Sequence, residues 1–122
     1  MSIRPHKKLK VWQDAVDFVP KVYLTLQSFP DDEKFGLTSQ IRRASTSVSI
    51  NIAEGAARSS KKDFARFLYI SMGSISELDT LFEISLKLKY LSTKDYESLI
   101  ADLDKLSAML NGLIKHLKKD IY

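Results

Sequence analysis

Residues 37 to 55, LTSQIRRASTSVSINIAEG, carry two distinct stripes on one helix, and this pattern constrains the fold of the chain more than any other. Leu37, Ile41, Ala44, Val48, Ile52 and Gly55 recur at three- and four-residue steps, which stack side chains on a single helical face. Such a face must be buried against other elements. Beside it, Gln40, Arg43, Ser47, Asn51 and Glu54 form a polar seam of amide, guanidinium, hydroxyl and carboxylate groups able to satisfy one another. Buried polar groups are normally hydrogen-bonded, so the seam reads first as a structural network that fixes helix register and second as a ligand site.

Helical periodicity appears four times along the chain and strand alternation essentially never, with breaks at Pro30, at Gly55 to Ser60 and at Ser92 to Thr93. The predicted helices span about 9–27, 31–57, 61–89 and 93–118. The first has the stripe Leu9, Trp12, Val16, Val19, Tyr23 and Leu26. Pro20 lies inside it, and a proline there removes a backbone donor and crowds the carbonyl four residues back, which predicts a kink near Val16 to Val19. Pro30, Asp31, Asp32 and Glu33 open the second helix with a preset first turn and dipole-compatible charge, and Gly36 makes that turn irregular. Ser60 and Asp63 have the spacing of a capping box ahead of the third helix, whose stripe includes Phe64, Leu68, Ile75, Leu78 and Phe82. The fourth carries the heptad-spaced seam Tyr96, Leu99, Leu103, Leu106, Leu110, Leu113 and Leu117.

Short connections between helices of about twenty residues predict an all-α, antiparallel up-down-up-down four-helix bundle. Two helices are more apolar than such a bundle requires. The third adds Phe67, Ile70, Leu81, Ile84, Leu88 and Leu91 to its stripe, and the first adds Val11, Phe18, Val22 and Leu24. This surplus predicts a homo-oligomer.

A chain of 122 residues with 44% apolar content is large enough for one core and too short for two typical domains, so residues 1–122 read as a single domain. The absence of cysteine excludes disulfides and thiolate metal sites. The N-terminal residues MSIRPHKKLKVWQDAV contain no apolar signal-peptide core, and no run approaches the roughly 18 apolar residues of a membrane span. The expected location is therefore the cytoplasm, without membrane contact.

Net charge is only +4, but the antiparallel arrangement places three basic segments at one end of the bundle. Residues 1–13, 53–67 and 111–122 hold eleven basic residues, Arg4, Lys7, Lys8, Lys10, Arg58, Lys61, Lys62, Arg66, Lys115, Lys118 and Lys119, against Glu54, Asp63 and Asp120. That end has a formal charge of +8 and the remainder of the chain −4. An oligomer would multiply such an end into a patch suited to a phosphate backbone. Lys115, Lys118 and Lys119 are better explained by favourable interaction with a helix C-terminus than by phosphate contact. Lys61 and Lys62 are not, because a helix N-terminus disfavours cations, while its free amides and hydroxyls suit an anion. The nearby aromatics Trp12, Phe64 and Phe67 read as core, so the pattern favours sequence-independent phosphate contact over base stacking.

Catalytic patterns are weak. His6 and His116 stand alone in basic segments, none of the five glutamates begins a Glu-x-x-His pair, and no HExxH, P-loop or GxGxxG motif occurs. Glu54 and Glu77 read as ion-pair partners for Arg42, Arg43 or Arg66, and Ser45, Ser47 and Ser49 have no histidine in sequence proximity. The reading is non-catalytic, with neither metal nor cofactor.

Trp12, Pro30, Glu33, Gln40-Ile-Arg-Arg-Ala-Ser45, Ser47, Asn51-Ile-Ala-Glu-Gly55, Arg58, Phe64, Phe67-Leu68, Gly73-Ser74 and Glu77 together resemble the four-helix-bundle family of 23S rRNA intervening-sequence proteins. The resemblance covers nearly the whole chain, and its NIAEG segment, preceded by QIRRA, is the specific part. Pro20 departs from the family's usual uninterrupted first helix. The family is bacterial, and related accessory proteins of diversity-generating retroelements form basic pentameric barrels that bind reverse transcriptase and nucleic acid. The resemblance thus implies a homopentamer whose partners are RNA or DNA, a reverse transcriptase or another protein. A protein-interaction scaffold that binds no nucleic acid is the competing expectation.

Overall fold

The computed structural model describes residues 4–119, which form four α-helices and no strand. A 3-10 turn at Pro5–Lys8 leads into α1, Lys10–Leu26, and a second at Asp31–Glu33 precedes α2, Leu37–Ala56. Helix α3 spans Lys61–Lys87 and α4 Thr93–Lys118. Contacts between helices establish the antiparallel order. Ser71 and Ser74 on α3 reach Val48 and Ser47 on α2, and Lys21 and Asp14 on α1 meet Asp102 and Lys105 on α4. Helices α1 and α3 each pack on α2 and α4, which places α1 and α3 at opposite corners of the bundle.

The core follows from one apolar stripe per helix. Val22, Ile41, Val48, Ile52, Leu68, Leu78, Phe82, Leu99, Leu103 and Leu110 are almost completely enclosed. The α2–α3 pair is the most extensive, and small residues line it: Ala44, Ser45 and Gly55 on α2, Ala65 and Ser71 on α3, all buried. The serines keep this contact polar without leaving donors unsatisfied. Ser71 Oγ donates to the Val48 carbonyl at 2.9 Å, and Ser45 Oγ to the Arg42 carbonyl of its own helix at 2.8 Å.

Helix α1 departs from the stripe expected for it. Its buried residues are Val11, Ala15, Phe18, Val22 and Leu26, one position back from the predicted Trp12, Val16, Val19 and Tyr23, a rotation of about 100°. The apolar arc of α1 is wider than the face it buries, so periodicity alone did not choose between the two edges of that arc. The buried edge is the one beside Asp14 and Lys21, which meet Lys105 and Asp102 of α4. Val11, Phe18 and Val22 therefore belong to the core and not to a surplus surface, whereas Val16, Tyr23 and Leu24 are 37%, 39% and 68% exposed. Pro20 is exposed, and α1 continues through it.

The surplus of α3 is likewise smaller than expected. Phe67, Leu81 and Leu91 are buried in the chain's own core, while Ile70, Ile84 and Leu88 remain outside.

Helix α2 begins at Leu37 and not near residue 31, because the backbone breaks at Gly36 (φ −109°, ψ −112°). Glu33 closes the gap: its Oε1 accepts a hydrogen bond from the Leu37 amide at 3.2 Å, and its Oε2 accepts one from the Tyr90 hydroxyl at 3.3 Å. A Cβ on Gly36 would lie 2.9 Å from the same Oε1, so glycine leaves room for the cap. Helix α3 ends at Lys87, two residues earlier than predicted. Its end is a Schellman closure in which Tyr90 N–H donates to the Ser85 carbonyl and Lys89 N–H to that of Leu86, each at 3.0 Å. Lys89 holds the left-handed position with φ 66°.

The polar seam divides in two. Asn51 Nδ2 donates to the Ser47 carbonyl at 2.9 Å and to Ser47 Oγ at 3.0 Å, and Ser74 Oγ of α3 donates to Ser47 Oγ at 2.9 Å. Gln40, Arg43 and Glu54 are exposed. The network that links the helices is thus the half-buried Asn51–Ser47–Ser74 chain. Its outer members line or flank a solvent-filled groove where Arg43 and Glu77 face each other.

Candidate nucleic-acid interface

Folding brings the 3-10 turn before α1, the α2–α3 connection and the C-terminal turns of α4 to one end. The turn packs on α1 and α2, with Gln13 Nε2 donating to the Lys7 carbonyl at 2.9 Å and the His6 ring 4.8 Å from that of Trp12. This places Lys7 and Lys8, both exposed, beside the end of α2. From α4, Lys118 Nζ reaches to 5.1 Å from the Tyr69 ring on α3, bringing Lys115, Lys118 and Lys119 alongside the first turns of α3. Asp120, counted in the sequence-based charge of this end, lies outside the described residues.

The α2–α3 connection is the most ordered part. Ser60 caps α3 by accepting the Asp63 amide at 3.1 Å, as the spacing predicted. That amide is consequently used within the cap and is not left over for an anion, whereas the Ser60 hydroxyl only accepts there and keeps its proton to donate. Asp63 instead gathers two cations: Arg66 Nε donates to Oδ1 at 2.9 Å, and Arg58 Nε stands 3.9 Å from Oδ2. Both guanidiniums also lie 4.6 Å from the centroid of buried Phe67. The ring and carboxylate hold Arg58 and Arg66 in place, so the two cations are preorganised. Lys61 and Lys62 project from the same turn and are exposed.

Lys10 differs from its neighbours. It forms an ion pair with Asp14 at 2.8 Å, and Lys105 approaches the other carboxylate oxygen at 3.7 Å. The hydrogen bond to Asp14 raises the Lys10 pKa, and the reciprocal bond lowers that of Asp14 against the opposing effect of its burial. Lys10 is thereby paired within α1, as Arg66 is within α3, and the cations gathered at this end are Lys7, Lys8, Lys10, Arg58, Lys61, Lys62, Arg66, Lys115, Lys118 and Lys119.

Sequence reasoning missed Tyr69. It is 48% exposed and lines a cleft of about 590 Å³ between α3 and α4, together with Lys62, Arg66 and Lys118. Tyr69 follows Leu68 of the core stripe by one residue, which turns it about 100° away from the core, and that offset was the available signal.

Among the described residues no three His, Cys, Asp or Glu side chains converge as a metal site, and no helix is long and apolar enough to cross a membrane. What this end presents is a set of largely exposed cations carried on helix ends.

An antiparallel four-helix bundle with a cationic end defines the structural class. The profile of the 23S rRNA-intervening sequence protein family matches residues 7–112, and the chain belongs to that family. It is similar to a crystal structure of a protein of unknown function from the S23 ribosomal protein family of Bacteroides thetaiotaomicron VPI-5482. The two are 25% identical, with a TM-score of 0.79 over 86% of this chain and 95% of the other. No curated protein matches the chain.

Proposed function

We propose that this protein is a non-catalytic, homo-oligomeric accessory protein of the bacterial cytoplasm that binds the RNA or DNA backbone through its basic end. The observation that carries the reading is the convergence of three cationic segments around Arg58 and Arg66, which Phe67 and Asp63 hold rigid. Prepositioned cations bind a phosphate backbone without sequence preference and release its counterions, so affinity falls steeply with salt. The family resemblance argues for five copies around an axis, which would join five such ends, and for a reverse transcriptase or another protein as a further partner.

The test is binding of the purified protein to structured RNA and duplex DNA across a salt series, alongside the Lys61→Glu/Lys62→Glu variant. Binding that weakens with salt and in the variant supports the reading. Absence of binding at low salt rejects it.

A second reading, a protein-interaction scaffold without nucleic-acid binding, draws on the outward apolar residues. Val16, Tyr23 and Leu24 on α1 and Ile70, Ile84 and Leu88 on α3 lie on helices at opposite corners. Two different faces on opposite corners suit a head-to-tail interface, which closes into a ring when the rotation between copies allows. Such a ring serves either reading. Light scattering should show a mass above 13.9 kDa, and a purely monomeric mass at micromolar concentration would reject the oligomer.

A further inference from the structure

We infer that the cleft between the start of α3 and the end of α4 is a nucleobase-stacking subsite, which makes single-stranded nucleic acid the preferred ligand of the basic end. The inference rests on the phosphate-binding reading and adds a second kind of contact to it. Tyr69 forms one wall with its ring half exposed, and Lys118 Nζ stands 5.1 Å from the ring centroid, so an aromatic face opens to solvent beside a cation. Lys62, Arg66 and Lys118 line the cleft with the ring, and Asp63, the one carboxylate among the described lining residues, pairs with Arg58 and Arg66. An aromatic face within a ring of cations matches a nucleotide, whose base is planar and apolar on its faces while its phosphate is anionic. The cleft, at about 590 Å³, lies within the roughly 300–1,000 Å³ range of small-ligand sites.

The strand form follows from geometry. In a duplex the bases are stacked on one another and present only their edges in the grooves, so a ring in the wall of a cleft cannot reach a base face. A flexible single strand can turn one base into the cleft while its phosphates stay on Lys62 and Lys118. Stacking is tolerant of base identity because every base has a π-face, so the subsite selects for strandedness and not for sequence. Ribose and deoxyribose strands share this chemistry, and the experiment separates them.

Fluorescence anisotropy at one fixed low salt concentration should compare oligo-U, oligo-dT, an abasic strand of equal length, and duplexes of RNA and of DNA. The proteins are the wild type, Tyr69→Ala, Tyr69→Phe and Lys61→Glu/Lys62→Glu. The wild type should bind the base-bearing strands more tightly than the abasic strand or either duplex. Tyr69→Ala should lose about thirtyfold on the base-bearing strands, the middle of the range for one stacked base, and bind duplex as before. Tyr69→Phe keeps the ring and should bind like the wild type. Equal affinity of Tyr69→Ala and wild type for the single strands, or of wild type for ordinary and abasic strands, overturns the stacking subsite while leaving phosphate binding intact. Failure of the wild type to bind any of the five ligands overturns both readings, and loss in the Lys61→Glu/Lys62→Glu variant across all five marks the phosphate contacts.

Discussion

A Cβ on Gly55 would stand 2.8 Å from the Cβ of Phe67, so the last turn of α2 and the first turns of α3 meet through a residue that has no side chain. The Phe64 carbonyl would lie 3.1 Å from the same atom, and backbone cannot yield as a flexible side chain does. Alanine gains about 1 kcal/mol of helix propensity over glycine. Overpacking of this contact outweighs that gain, and Gly55→Ala should be destabilising by about 1–3 kcal/mol. The urea midpoint measures it, and an unchanged or higher midpoint would mean that α3 moves aside at no cost. Because Phe67 also carries Arg58 and Arg66, the variant should weaken nucleic-acid binding at low salt as well.

The divided seam makes a contrasting pair of predictions. Ser71 is completely buried and its hydroxyl bonds to the Val48 carbonyl, so Ser71→Ala should cost about 0.5–1.5 kcal/mol. Arg43 is exposed beside the groove, and Arg43→Ala should change stability by no more than about 0.5 kcal/mol. Thermal melts of both variants decide this. A large loss for Arg43→Ala would show that its guanidinium is part of the buried network.

Lys89 occupies a backbone conformation that glycine adopts without penalty. Lys89→Gly should therefore be stabilising by about 0.5–1 kcal/mol, a rise of about 2–6 °C in melting temperature. A fall in melting temperature would indicate that the lysine side chain contributes more at this end than its strained backbone costs.

Acid stability should depend on Asp14. Its pKa lies below the ordinary 3.8, chiefly through the Lys10 hydrogen bond, so the folded state binds its proton less readily than the unfolded chain. This contribution is complete above the unfolded value and is lost as pH falls through the folded one. Urea midpoints of Asp14→Asn should be lower than wild type at neutral pH, and should fall less steeply as pH drops below about 4. Parallel curves for the two proteins would show that Asp14 does not titrate differently on folding.

Much of the bundle is legible in the residues. The stripes of α2 and α4, the Ser60 cap and the gathering of cations at one end follow from local spacing and from short connections, whereas the start of α2 at Leu37, beyond the break at Gly36, does not. The inner face of α1 is not legible, because its apolar arc is wider than the face it buries and the packing of α2 and α4 decides which edge turns inward. The pairing of Lys10 is local, with Asp14 one turn further along the same helix, and counting charges by segment passes over it. Tyr69 was passed over because exposure is a property of the neighbours, and the cleft around it exists only where α4 ends against α3.

The sequence by itself determined the number of helices, their approximate ends and the sign of the charge at each end of the bundle. These depend on periodicity, caps and chain length, which act between residues close in the chain. Tertiary structure decided which face of α1 is buried, that the inner seam runs from Asn51 through Ser47 to Ser74, and that Arg58, Arg66, Phe67 and Asp63 form one rigid unit beside an open tyrosine. Those relationships join residues on different helices or in different turns, and close packing selects among arrangements that local pattern leaves equivalent.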